Sequence, residues 1–228
     1  MKDPYVGGEM PAPVVAFVGR SESGKTTYIE RLLPEVKRRG LRVATVKHVP
    51  QHFHAHVPAR DTERHLAAGA DATIASTGDA LILTKPLAGE APFEEIGRLL
   101  GEEYDIILAE GFKGSGAPKI EVWRKAVGEP LEGLRSRVAV VTDDEYPGGG
   151  RIFRTADVAA MADFLEKGYI EPQRQRLSLY VNGQAVALSA FPREFVGNVT
   201  NALVASLKDV PPVKWLELRL RKSGDQST

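Results

Sequence analysis

Pro13-Val-Val-Ala-Phe-Val-Gly-Arg-Ser-Glu-Ser-Gly-Lys-Thr-Thr27 decides the fold. Its first part, Val14 to Val18, is a continuous apolar run bounded by Pro and Gly. Such a run suits a strand covered on both faces, as in a parallel sheet. Its second part, Gly19-Arg20-Ser21-Glu22-Ser23-Gly24-Lys25-Thr26, fits the phosphate-loop pattern G-x-x-x-x-G-K-[ST] at every fixed position. Glycines let backbone amides approach phosphate oxygens without a clash at Cβ. The amides and the N-terminus of a following helix supply positive potential. Lys25 offers a cation for the β and γ phosphates, and the Thr26 hydroxyl a hard oxygen for Mg²⁺. The nucleotide-binding set on this reading is Gly19, Ser21, Glu22, Ser23, Gly24, Lys25, Thr26 and Thr27. The competing reading is a chance glycine turn. A helical pattern follows, with Tyr28, Ile29, Leu32, Leu33 and Val36 recurring at three and four and Gly40 as the stop. Pro34 is expected to kink or shorten that helix.

Outward from this unit, strands are expected at 41–46, 72–76, 81–84, 105–109, 120–123 and 138–141. Helices are expected at 59–68, 93–100 and from a Thr155 cap to Leu165. The alternation predicts an α/β fold: a P-loop NTPase-like, mainly parallel sheet with helices on both faces. Residues 1–12 read as a loose leader, 13–166 as the nucleotide-binding domain and 167–176 as a polar linker. Residues 177–228 read as a small C-terminal ββαβ module: strands about Asn182-Gly183, a helix over 194–207 and a strand over 215–220.

Composition narrows the function classes. The 228 residues are 43% hydrophobic and 26% charged, a globular balance. Thirty Lys plus Arg against thirty Asp plus Glu leave no global field for non-specific nucleic-acid binding. With no cysteine, disulfides, thiolate zinc sites and Cys-held iron–sulfur clusters are excluded. No apolar run approaches the roughly 20 residues of a membrane helix, and the N-terminal stretch lacks the apolar core of a signal peptide. A cytoplasmic protein with no membrane partner is the expectation.

A triphosphate site needs a second acidic group to order Mg²⁺. Glu110, at the end of Asp105-Ile-Ile-Leu-Ala-Glu110, is the candidate, against a helix cap or an ion pair with Lys113. Asp105 should sit at the opposite edge of the sheet. A carboxylate can accept the paired donors of guanine, which adenine lacks. Asp143, after the strand 138–141, could do so or could merely solvate its loop. All five histidines lie between His48 and His65. The alternating His52, His54 and His56 suit either a transition metal or a polar loop beside the phosphates. Asp61 in the next helix reads as capping, while Arg60 and Arg64 could meet an anionic ligand.

Several stretches, taken in order, resemble the molybdopterin-guanine dinucleotide biosynthesis protein B (MobB) family. They are Ser23 to Thr27, Arg39-Gly40 with Arg42-Val43-Ala44, and Val46-Lys47-His48. Arg60-Asp61-Thr62, Arg64-His65 and Ala68-Gly69-Ala70 follow, then Glu110-Gly111-Phe112-Lys113 and Pro118-Lys119-Ile120-Glu121-Val122. The likeness covers about residues 13 to 166 and departs from the family at Ala59 and Arg60, where Gly and Lys are usual.

The resemblance implies a GTP-binding, usually dimeric protein with weak GTPase activity that assists the guanylyltransferase joining GMP to molybdopterin. It implies GTP and Mg²⁺ as ligands and molybdopterin or its molybdenum form as a further one. It makes Lys25 and Glu110 the catalytic pair, Thr26 and Glu110 the metal residues, and Asp143 a guanine contact. Lys47, His48, Arg60, Asp61 and Arg64 form a candidate ligand or switch loop. No residue stands out as an efficient base, so slow hydrolysis is expected. The rival readings are a metal-inserting GTPase using the histidine loop and a small-molecule kinase.

Overall fold

The computed structural model describes residues 12–49, 60–174, 177–182, 184–210, 212–213 and 216–218. The expected leader, except Ala12, and His52, His54 and His56 lie outside them, as does half of the expected strand over 215–220.

Strand β1 (Val14–Val18) leads through the glycine-rich loop into helix α1 (Lys25–Arg38), then β2 (Val43–Lys47). Helix α2 (Arg60–Ala67) and the strands β3 (Thr73–Ser76) and β4 (Leu81–Thr84) follow. Helix α3 (Phe93–Leu100) precedes β5 (Ile106–Glu110), β6 (Lys119–Val122), β7 (Arg137–Val141) and β8 (Ile152–Phe153). Helix α4 (Val158–Leu165) closes the sheet domain. Strands β9 (Tyr180–Val181) and β10 (Gln184–Ala185) and helix α5 (Ala190–Ala205) follow.

The main sheet has the order β2-β5-β1-β6-β7-β8, and every pairing in it is parallel. Its central strand β1 is buried at all five positions, as the unbroken apolar run requires. The pleat sends Val15 and Phe17 to one face, where Ile29, Leu32 and Val36 of α1 and Met161 and Leu165 of α4 cover them. It sends Val14, Ala16 and Val18 to the other, under Phe93 of α3. Because the strands are parallel, all their carboxyl ends lie along one edge. That edge, where the chain direction reverses outward from β1, is where ligands of such sheets bind.

The sheet places Glu110 beside both Phe17 and Lys47 in register. Asp105 starts at the opposite edge, as expected, and its carboxylate accepts the Arg42 N–H at 2.7 Å.

Several expectations need correction. Helix α1 begins at Lys25, three residues before its apolar period, and runs through Pro34 to Arg38. Thr155 does not cap α4; Asp157 occupies that position, and the Thr155 hydroxyl donates to Asp143 instead. Strand β8 has only two residues beside a glycine-rich turn, too few for a pattern to show. Residues 166–170 continue α4 as a π-helical turn, with Ile170 buried in the sheet core and Tyr169 against Phe164.

Candidate nucleotide-binding site

The loop between β1 and α1 is shaped by close approach and by left-handed backbone. A Cβ on Gly19 would lie 2.4 Å from the Val122 carbonyl oxygen and 2.5 Å from Ser23 Oγ, so only glycine fits. Glu22 (φ 62°) and Gly24 (φ 93°) are both left-handed. Alternation of this kind turns successive N–H groups toward one concavity, an anion-binding nest. The Ser23 hydroxyl is buried beneath that concavity and has no hydrogen-bond partner among the described residues. A buried hydroxyl without a partner inside a cradle of amides fits a ligand rich in oxygen acceptors. Ser21, Glu22, Thr26 and Thr27 are exposed at the mouth.

Lys25 folds over the loop. Its ammonium donates to the Arg20 carbonyl at 2.7 Å and to the Gly19 carbonyl at 3.4 Å. Burial lowers its pKa; Glu110 opposes that shift, and Lys113 and Lys47 add to it. Three lysines therefore act on a locus that holds one close carboxylate. The Thr26 hydroxyl donates to Glu110, 2.8 Å from Oε1 and 2.9 Å from Oε2. Lys47 Nζ lies 3.1 Å from Glu110 Oε1. The competing expectation of a Glu110–Lys113 pair gives way to this Glu110–Lys47 pair. Thr26 and Glu110 are hard oxygen donors in contact, the chemistry that suits Mg²⁺.

The expected switch residues separate. His48 stays with the site: its N–H donates to the Glu110 carbonyl at 2.9 Å, and its ring meets Phe112 edge-on at 5.5 Å. Arg60 opens α2, and Arg64 pairs with Asp61 at 3.4 Å on the exposed surface of that helix. Asp143 follows β7, but its carboxylate accepts the Thr155 N–H at 2.9 Å and the Thr155 hydroxyl at 2.5 Å. Those two bonds hold it below the usual carboxylate range. A guanine contact through Asp143 would have to share its carboxylate with Thr155. Among the described residues no group of three or more His, Cys, Asp or Glu could hold a metal ion.

Sequence reasoning missed the brace beside the loop. Arg20 Nε donates to the Glu129 carbonyl at 2.7 Å and packs on Gly128, whose φ is +128°. Residues 124–131 are fixed in turn by Trp123 Nε1 on the Gly128 carbonyl (2.7 Å) and by the Leu131 N–H on Glu121 Oε1 (2.6 Å). Glu121 is fully buried; its other oxygen takes Arg137 and the Tyr146 hydroxyl, each at 3.1 Å. The signal was present in Lys119-Ile-Glu121: charged residues inside a central strand have to be paired.

The parallel sheet, the glycine-rich loop after its central strand and the carboxylate on the neighbouring strand make this a P-loop NTPase-like α/β protein. The family model of MobB, molybdopterin guanine dinucleotide synthesis protein B, matches residues 14–143, more than half of the chain. The chain belongs to the MobB family. It is 30% identical over 166 residues to the molybdopterin-guanine dinucleotide biosynthesis adapter protein of Escherichia coli (strain K12), spanning 70% of this chain and 95% of that one. It is 36% identical over 132 residues to the probable adapter protein of the same name from Bacillus subtilis (strain 168), spanning 55% of this chain and 72% of the relative. The crystal structure of molybdopterin-guanine biosynthesis protein B (mobB) superposes with a TM-score of 0.53 at 30% identity, covering 68% of this chain and 98% of the other.

Proposed function

We propose that this protein is a GTP-binding adapter in molybdenum-cofactor biosynthesis. In this reading it supports the attachment of GMP to molybdopterin by a partner guanylyltransferase. The names of its relatives supply the pathway. The observation that carries the nucleotide half is the contact of Thr26 with Glu110 beside the Lys25-lined loop. Backbone amides of 19–24 and the Lys25 ammonium bind and orient the phosphates. Thr26 and Glu110 are the residues that would hold Mg²⁺, which supplies neutralisation of phosphate charge when bound. Lys47 balances the charge of Glu110. The Glu110 carboxylate is already engaged by Thr26 and Lys47, no other described residue is placed to activate a water, and hydrolysis by this chain alone is slow.

Ile74 (61% exposed) and Leu81 (74% exposed) on the β3–β4 hairpin give an apolar surface that supports self-association as a homodimer. Among the described residues no helix is long and apolar enough to cross a membrane. Reconstituted guanylylation tests the proposal. Adding this protein to a guanylyltransferase, molybdopterin and Mg-GTP is expected to raise the yield of dinucleotide, and the Lys25→Ala form is expected not to. Equal yields with and without the wild-type chain would contradict it.

A further inference from the structure

Beyond Glu110 the chain turns sharply. Gly111 (φ 96°) and Phe112 (φ 55°) are consecutive left-handed residues, rare for a bulky aromatic. A Cβ on Gly111 would stand 3.0 Å from His48 Cβ, so the turn depends on glycine there. The turn sets the Phe112 ring 4.6 Å from the Phe93 ring and 5.5 Å from that of His48. The loop after it is fixed from beneath by an unusual device. The ammonium of the fully buried Lys119 donates to the Ser115 carbonyl at 2.5 Å and the Ala117 carbonyl at 3.1 Å. Strain and a buried charge are thus both spent on the shape of one surface loop.

That loop walls a cavity of about 710 Å³, which falls among the volumes of small-molecule sites. Phe112, backed by the buried Phe93, gives it an aromatic wall; Glu94 and Glu90 give it carboxylates, the latter 3.4 Å from His48 Nε2; and Lys113 gives it a cation. Lys113 makes no ion pair among the described residues, yet its charge is felt at Lys25. Gly111 in the cavity wall directly follows Glu110, whose carboxylate meets Thr26, so the cavity adjoins the phosphate loop.

We propose that this cavity is a pterin-phosphate site adjoining the nucleotide site. Phe112, backed by Phe93, takes the ring face, the Glu94 carboxylate accepts the paired donors of the aminopyrimidinone edge, and Lys113 takes the phosphate. The proposal rests on the adapter reading above and adds to it where the second reactant is held. Two such sites side by side would let one chain bring both reactants of guanylylation together.

The test uses the full chain and the fluorescent probe neopterin monophosphate, with unphosphorylated neopterin as its control, read by polarisation with and without Mg-GTP. The wild-type chain is expected to bind the probe saturably whether or not GTP is present. Lys113→Ala is expected to weaken the phosphorylated probe roughly tenfold and the unphosphorylated one less than about twofold. Phe112→Asn, which tolerates the left-handed backbone, is expected to weaken both by roughly tenfold. Lys25→Ala should lose GTP and keep the probe. No saturable binding, full displacement of the probe by GTP, or unchanged binding in Lys113→Ala would overturn the proposal. GTP binding retained in those cases would leave the adapter reading standing; loss of GTP binding by the wild-type chain would overturn the adapter reading instead.

Discussion

Under the phosphate loop, the 14-residue helix α1 buries Tyr28, Ile29, Leu32 and Val36 against the sheet. The 16-residue helix α5 buries none of its residues. Phe191 (76% exposed) and Phe195 (58% exposed) continue into a stripe with Val199 and Leu203, at steps of four along the helix. Strands β9 and β10, which precede it in the chain, are two residues each. Both helices carry an amphipathic pattern, and among the described residues only α1 finds a surface to cover. A pattern of apolar residues specifies an element and its sticky face; what the face meets is decided by the rest of the chain or by another molecule. The family model matches residues 14–143, which include α1 and stop short of α5.

Truncation of each helix measures that contrast. Leu32→Ala, in a fully buried position, is expected to destabilise the protein by about 2–5 kcal/mol in denaturant unfolding. Phe195→Ala is expected to stay within about 0.5 kcal/mol, as for other exposed positions. A large loss for Phe195→Ala would mean that α5 is covered in solution, and a concentration dependence of that loss would identify a second copy as the cover.

A smaller effect separates the regions by pH. Hydrogen bonds from Arg38 and Arg39 hold Glu35 down at about 2, and those from Arg98 and Lys85 do the same for Glu95, against an ordinary 4.5. Both carboxyls are depressed in the folded state. Their stabilisation is therefore complete above pH 4.5 and is lost as pH falls toward 2. Melting temperature is expected to fall across that window, with a shallower fall in Glu35→Gln. An identical slope in the variant would count against the Glu35–Arg39 link, through which α1 reaches Asp163 just past mid-α4.

Much of this was legible in the residues. An apolar run, a glycine loop and an amphipathic helix, each with its own period, predicted β1, the loop and α1, and the acid ending the 105–110 run proved to be the one touching Thr26. The illegible parts depended on distance in sequence. Asp143 and Thr155 are twelve residues apart, and no local rule pairs an acid after one strand with a threonine beyond the next. Glu121 and Lys119 read as a family signature, and their buried partners became apparent only once the strands were assembled. Strand β8 is too short for any period, and its pairing rests on its neighbour β7. The segment 167–176, expected from polarity to be a linker, holds the adjacent Tyr169 and Ile170, which pack on the core.

Calorimetric titration of Mg-GTP into the full chain and into Lys25→Ala addresses the triphosphate loop most directly. The wild-type chain is expected to bind one nucleotide per site with measurable heat, and the variant to bind at least roughly a hundredfold more weakly, as loss of a charge-assisted phosphate contact in a partly buried cradle implies. Equal affinity in the two chains, or no heat from the wild type at saturating nucleotide, would contradict the assignment.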